Sequence, residues 1–155
     1  MTSISGVILR PATIADLRLL TRFIRHYFAF DHLEFQGKAI RAGLRKLLAN
    51  PSIGQAYLVT SNSKAVGYTI LIDSFDLEFG GRVAFVTDLY LEADYRRRGI
   101  GTEIMKQLEQ LSLRKGVKTL ELLAERRNRA ALSFYRRVGF RRHDRVSLSK
   151  RLPSH

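Results

Sequence analysis

The sequence predicts an α/β fold of the mixed (α+β) kind, with helices on the faces of one central sheet. Three observations predict it. Helical spacing near the start gives way to a run of strands between 57 and 91. The longest apolar strand runs through a glycine-containing loop into the strongest amphipathic helix. Short strand and helix patterns then alternate to the end, giving the order β-α-α-β-β-β-α-β-α-β.

Each element has a local reason. Val7 to Arg10 is a short apolar strand. Thr13 is an N-cap candidate with Asp16 three residues on, and Leu17, Leu20, Ile24, Tyr27 and Phe28 recur at helical spacing, so 14–29 is a helix. Asp31 to Gly37 is a loop, and 38–49 is a helix stopped by Asn50-Pro51. Tyr57 to Thr60 and Val66 to Ile72 are strands around the turn Ser61 to Lys64. Gly80-Gly81 punctuates a second hairpin, and Val83 to Leu91 is the long strand. Residues 100–115 turn Ile104, Leu108 and Leu111 inward and end near Gly116. Thr119 to Leu123 is a strand, Asn128 to Val138 a helix closed by Gly139, and Arg145 to Leu152 a final strand.

Composition bounds the function. The 155 residues fit one domain, 1–155, able to bury a sizeable core. With 45% hydrophobic and 26% charged residues the chain is an ordinary globular one, not a disordered one. No apolar run approaches 18 residues, so no membrane helix is expected, and Met1 to Arg10 has no secretory pattern. There is no cysteine, which excludes a disulfide scaffold, a thiolate metal site and a cysteine nucleophile, and fits a cytoplasmic protein. His26, His32 and His143 show no ligand spacing, so no metal is expected.

Charge is unevenly placed. The net charge is +13, of which residues 96–155 carry +12 and residues 1–95 only +1. One strongly basic half points to a polyanion, either a nucleic acid or a phosphorylated cofactor. Within that half lies Arg96-Arg97-Arg98-Gly99-Ile100-Gly101, between the long strand and the strongest helix. Glycines there let backbone approach a ligand, and the helix start offers unpaired N–H groups to phosphate. The dinucleotide fingerprint would need glycine where Ile104 stands, and the P-loop ending is absent. The spacing alone fits either another kind of pyrophosphate cradle or a tight strand-to-helix turn.

Two motifs together are more specific. Arg96 to Gly101 matches R/Q-x-x-G-x-G/A and follows Asp88-Leu89-Tyr90-Leu91 and Asp94-Tyr95. Asn128 to Tyr135 matches N-x-x-A-x-x-F-Y, and Val138-Gly139-Phe140 closes that helix. On these residues the segment Phe85 to Phe140 resembles the GNAT superfamily of acyl-CoA-dependent N-acetyltransferases, above all its diamine, polyamine and thialysine acetyltransferase-like members. The motifs cover about a third of the chain, and the element order extends the likeness to most of it. The resemblance implies a largely antiparallel sheet of about six to seven strands flanked by about four helices.

The resemblance also implies a site. The amides of Arg98, Gly99, Gly101 and Thr102 would hold the pyrophosphate of acetyl-CoA, with Arg96, Arg97 and Ile100 in the same loop. Leu89 and Leu91 would offer backbone groups to the pantetheine arm, Asn128 would contact the cofactor, and Arg137 would meet its phosphates. Tyr135 would face the sulfur.

Amide formation needs a neutral amine and a protonated leaving thiolate. An amine of pKa near ~10.4 costs roughly 4–5 kcal/mol to neutralise at pH 7. A phenol carries its proton there, so Tyr135 suits the acid. Asp88 is the best placed carboxylate for the base; polyamine-acetylating relatives carry Glu-Asp where this chain has Thr87-Asp88, so direct and water-mediated proton removal both stay open. Asp31, His32 and Glu34, and Asp73, Asp76 and Glu78, form two acidic clusters expected beside the acceptor, with Asp31, Glu34, Asp76 and Glu78 the candidate binding residues.

The leading expectation is acetyl transfer to a primary amine of a small molecule: a polyamine, an amino acid analogue or an aminoglycoside-like compound. A protein or peptide N-acetyltransferase is the alternative within the class. A non-catalytic acyl-CoA sensor and a basic nucleic-acid-binding module are the others; nucleic acid is disfavoured because the arginines cluster at helix ends and a glycine turn, away from an aromatic-lined face. The resemblance further implies a homodimer and no membrane partner.

Overall fold

A computed structural model describes residues 4–154. These divide into two compact units, one running to Leu123 and one beginning at Ala124.

The first unit holds β1 (Val7–Pro11), α1 (Leu17–Phe30), α2 (Gly37–Ala49), β2 (Gly54–Ser61), β3 (Lys64–Asp76), β4 (Gly81–Leu91), α3 (Ile100–Arg114) and β5 (Thr119–Leu122). Its sheet has the order β1-β2-β3-β4-β5, antiparallel except for the parallel β4–β5 pair. The helix expected from residue 14 begins at Leu17, after a 3-10 turn at Ile14–Asp16. Asp16 explains the delay: its carboxylate reaches back to accept from the Thr13 backbone N–H at 2.9 Å and takes two bonds from the Arg10 guanidinium at 3.0 and 2.8 Å.

Alternation buries the sheet on both faces. Ala56, Leu58, Tyr68, Ile70 and Tyr90 form one core with Leu20, Phe23 and Ile24 of α1 and Leu44 of α2. The Leu, Ile and Phe side chains among them each contribute roughly 1.5–3 kcal/mol on full burial. The alternate residues Leu9, Tyr57, Val59 and Thr69 are also buried, and α3, which contacts β1, buries Ile100, Ile104, Met105 and Leu108. The edge strand β1 is covered by a side chain. Gln107 of α3 accepts from the Leu9 N–H at 3.0 Å and donates to the Val7 carbonyl at 2.9 Å, which removes an exposed pairing edge.

The second unit holds one helix, α4 (Arg129–Arg137). The final strand expected over Arg145 to Leu152 does not form, and the sheet has five strands rather than six to seven. Val146 and Leu148 alternate with serines as a strand would, but a strand needs a ladder partner and, among the described residues, this segment pairs with none.

Candidate active site

A register shift builds the centre of β4. Ile70 pairs with Asp88 and Leu71 with Val86, so Thr87 is the extra residue of a bulge. By alternation Asp88 shares the face of Tyr68, Ile70 and Tyr90, under α1. The Tyr68 hydroxyl donates to Asp88 Oδ2 at 2.7 Å, and the Thr69 hydroxyl donates to the Asp88 carbonyl at 2.8 Å. Burial holds the Asp88 carboxyl above the ordinary aspartate range, and the hydroxyls of Tyr68 and Thr87 offset part of that. Burial, followed by the Asp88 charge, holds the Tyr68 phenol far above its usual value, so it stays a donor.

Beyond the bulge, β4 keeps one partner only. β5 pairs with Val83 to Val86 and stops, so Thr87 to Leu91 have no strand on that side among the described residues. The Glu92 N–H bonds the Val66 carbonyl, which fixes the phase of the ladder: Asp88 and Tyr90 pair with β3, while Leu89 and Leu91 turn their N–H and C=O toward the open side. A short polyamide ligand laid there finds backbone donors and acceptors in extended spacing.

The open edge leads straight into the glycine loop. Arg97 (φ 59°) and Gly99 (φ 77°) both take left-handed backbone, which turns successive amides inward. Gly99 caps α3, and the first intrahelical bond from the loop is Glu103 N–H to the Gly99 carbonyl, so the N–H groups of Ile100, Gly101 and Thr102 have no acceptor within the helix. Buried Ile100 anchors the turn, while Arg97 and Arg98 are exposed beside it, Arg98 lying 5.5 Å over the Tyr95 ring. These residues fit a pyrophosphate. Arg96 differs: it is half-buried, its Nε donates to the Leu91 carbonyl at 2.8 Å, and its guanidinium lies 4.7 Å over Phe30 and 5.6 Å over Tyr90.

In the second unit, Asn128 caps α4, its side chain accepting from the Ala131 N–H at 3.1 Å. The helix ends in a Schellman motif: Gly139 (φ 104°) bonds the Arg136 carbonyl and Phe140 the Tyr135 carbonyl. The same motif brings the Phe140 ring edge-on to Tyr135, centroids 5.7 Å apart, with Phe134 at 5.2 Å on the other contact. Tyr135 is thus half-buried between two rings, and Arg137 is exposed in the last turn.

The expected acceptor residues separate. Asp31 follows Phe30 at the end of α1, near the Arg96 contact, and Glu34 accepts from the Gln36 side chain at 3.2 Å. Asp76 pairs with Gly81 at the far end of the β3–β4 hairpin, six residues from Ile70 and so about 20 Å along the strand from Asp88. Its carboxylate caps the 3-10 turn Leu77–Phe79 by accepting from the Glu78 N–H at 2.9 Å. Sequence reasoning missed Tyr68, Tyr90 and Phe30. Counting the hairpin outward from Gly80 would have set Tyr68 nearly opposite Tyr90, but the bulge at Thr87 shifts that count by one. Among the described residues no group of three His, Asp or Glu is placed to hold a metal, and no helix is long and apolar enough to cross a membrane.

The chain is similar to known proteins in sequence and in fold. A sequence profile described as the Acetyltransferase (GNAT) family matches residues 20–140. Thialysine N-epsilon-acetyltransferase of Bos taurus is 27% identical over 148 residues, covering 86% of this chain and 83% of its own. Spermidine N(1)-acetyltransferase of Thermoplasma acidophilum is 30% identical over 143 residues, covering 88% and 89%. A possible acetyltransferase from Clostridium difficile 630 superposes with a TM-score of 0.83 at 17% identity, over 97% of this chain and all of that one. With the profile spanning most of the chain, the protein belongs to the GNAT acetyltransferase family.

Proposed function

We propose that the protein moves an acetyl group from acetyl-CoA to a primary amine of a small molecule. The observation that carries this is β4. Within four residues the strand presents the half-buried Asp88 on one face and the open backbone edge of Leu89 and Leu91, and it runs on into the glycine loop. In this reading the loop amides of Arg98, Gly99, Gly101 and Thr102, with Arg97 and Ile100, hold pyrophosphate, and the edge holds the pantetheine amides. Asn128 and Arg137 add contacts to the same donor.

The amine attacks the thioester carbonyl as its proton passes to Asp88, directly or through water; the C–S bond breaks, and Tyr135 protonates the departing thiolate. A carboxyl held above its usual range by burial is a better proton acceptor than an ordinary surface carboxylate. The named relatives that act on thialysine and spermidine support a small diamine-like acceptor, a class that also includes amino acid analogues and aminoglycoside-like amines. Asp31 and Glu34 supply negative charge for it, whereas the position of Asp76 and Glu78 lends them no support. A homodimer in solution belongs to the proposal, supported by the exposed Val146, Leu148 and Leu152, and light scattering tests it.

The test is CoA release from acetyl-CoA with spermidine, lysine, thialysine, an aminoglycoside and a lysine peptide, against a blank without amine. Release with one small amine supports the reading and names the acceptor class. Release with the peptide alone moves the acceptor to protein lysines. Saturable acetyl-CoA binding with no release by any amine replaces the enzyme with an acyl-CoA sensor.

A further inference from the structure

Three consecutive arginines open the glycine loop, and their surroundings are unequal. Arg97 and Arg98 face solvent, where a phosphate would be met. Arg96 is half-buried and already engaged at three points: the Leu91 carbonyl at the end of β4, the Tyr90 ring one residue earlier, and the Phe30 ring on the last residue of α1. The carbonyl it takes belongs to the open edge of β4, and Phe30 is followed by Asp31 and by His32 in left-handed backbone (φ 56°). One side chain therefore ties together the strand edge, the loop entrance and the turn after α1.

We infer that Arg96 is a positioning residue and not a phosphate ligand: it braces the open edge of β4 against the end of α1, fixing the strand that receives the acyl arm beside the turn carrying Asp31. This rests on the proposed acetyl transfer and adds a role to it. A guanidinium suits the task because its planar fork donates in one direction and stacks in another, which an ammonium cannot do. The brace acts on the acyl end of the donor, so its loss is felt whether or not the donor carries phosphates.

The experiment compares Arg96→Gln, Arg96→Lys and Phe30→Leu with the wild type, using acetyl-CoA and the phosphate-free donor S-acetyl-pantetheine, on the amine that gives wild-type release. The expected result is a loss of about tenfold in kcat/KM for Arg96→Gln with both donors alike, leaving the ratio between donors unchanged. Arg96→Lys keeps the charge and is expected to fail equally, with acetyl-CoA alone deciding that comparison. Phe30→Leu, at a half-exposed position, should shift activity the same way by a smaller factor, and it carries the test should Arg96→Gln lose its cooperative melt. A loss confined to acetyl-CoA, rescue by lysine, or wild-type rates in Arg96→Gln overturns the inference. Absence of wild-type turnover with every amine overturns the acetyl-transfer reading beneath it, and is seen before any variant is made.

Discussion

The Tyr68 hydroxyl and the Asp88 carboxylate meet at 2.7 Å, diagonally across the β3–β4 pair and twenty residues apart in the chain. The bulge at Thr87 makes the meeting possible, because it puts Asp88 on the face that Tyr68 occupies. The donated bond favours the charged carboxylate, whereas burial favours the neutral acid. Tyr68→Phe removes only the bond, so Asp88 stays protonated to higher pH. The acidic limb of the kcat/KM profile should move upward, with roughly a three- to tenfold loss at its acidic end and little change at alkaline pH. An unmoved limb would show that Asp88 does not control the rate.

Asp88→Asn separates stability from chemistry. Burial raises the folded-state pKa of Asp88 above its unfolded value. Ionisation therefore costs stability, from the ordinary aspartate range upward, and the full cost stands once pH exceeds the folded value. Asparagine still accepts from Tyr68 and carries no charge. Thermal melts should show a higher Tm for the variant at pH 7 and a closing gap below the ordinary aspartate range. Turnover should fall about a hundredfold or more if the carboxylate takes the amine proton.

Tyr135→Phe keeps both ring contacts, to Phe134 and Phe140, and removes the proton donor. The expected outcome is a fall in kcat of roughly 10²-fold or more with little change in acetyl-CoA affinity, measured by steady-state kinetics beside direct binding. Equal kcat would reassign Tyr135 to packing.

At Gly99 conformation matters more than space. A methyl there would meet the tip of the flexible Ile4 side chain at 2.7 Å, which can move away, but φ of 77° cannot be relieved so easily. Alanine in left-handed backbone costs roughly 1–2 kcal/mol. Gly99→Ala should raise KM for acetyl-CoA about tenfold and lower the Tm by a few degrees; a normal KM would separate the loop geometry from donor binding.

Asp16 offers a pH test of the fold alone. The Arg10 hydrogen bonds hold its carboxyl below the usual range, so its contribution is present above the unfolded pKa and is lost as pH falls through the folded one. Asp16→Ala should cost about 1 kcal/mol at pH 7 through the lost turn bond and ion pair, and close to nothing in strong acid, by urea titration.

The motifs were legible because their jobs are local. Arg96 to Gly101 and Asn128 to Phe140 each act through backbone conformation within a few residues: left-handed turns, a capped helix start, a Schellman close. The pair Tyr68–Asp88 was not legible because it joins residues twenty apart through a register that one bulge shifts, and the contact of Arg96 with Phe30 was not legible because it joins the loop to the end of α1, 66 residues earlier. The expected last strand failed for a related reason: the alternation of Val146 and Leu148 describes one side of a ladder and says nothing of its partner.

The sequence by itself determined the α/β class, the position of the four helices among the described residues, the glycine turn that opens α3 and the family, since periodicity and turn chemistry are short-range properties. Tertiary structure decided which side chains meet: that Asp88 is half-buried on the α1 face with a phenol on it, that Leu89 and Leu91 face an open edge, and that Arg96 is half-buried while Arg97 and Arg98 face water. Those outcomes depend on where strands pair and stop, and pairing is settled by the packing of both sheet faces at once.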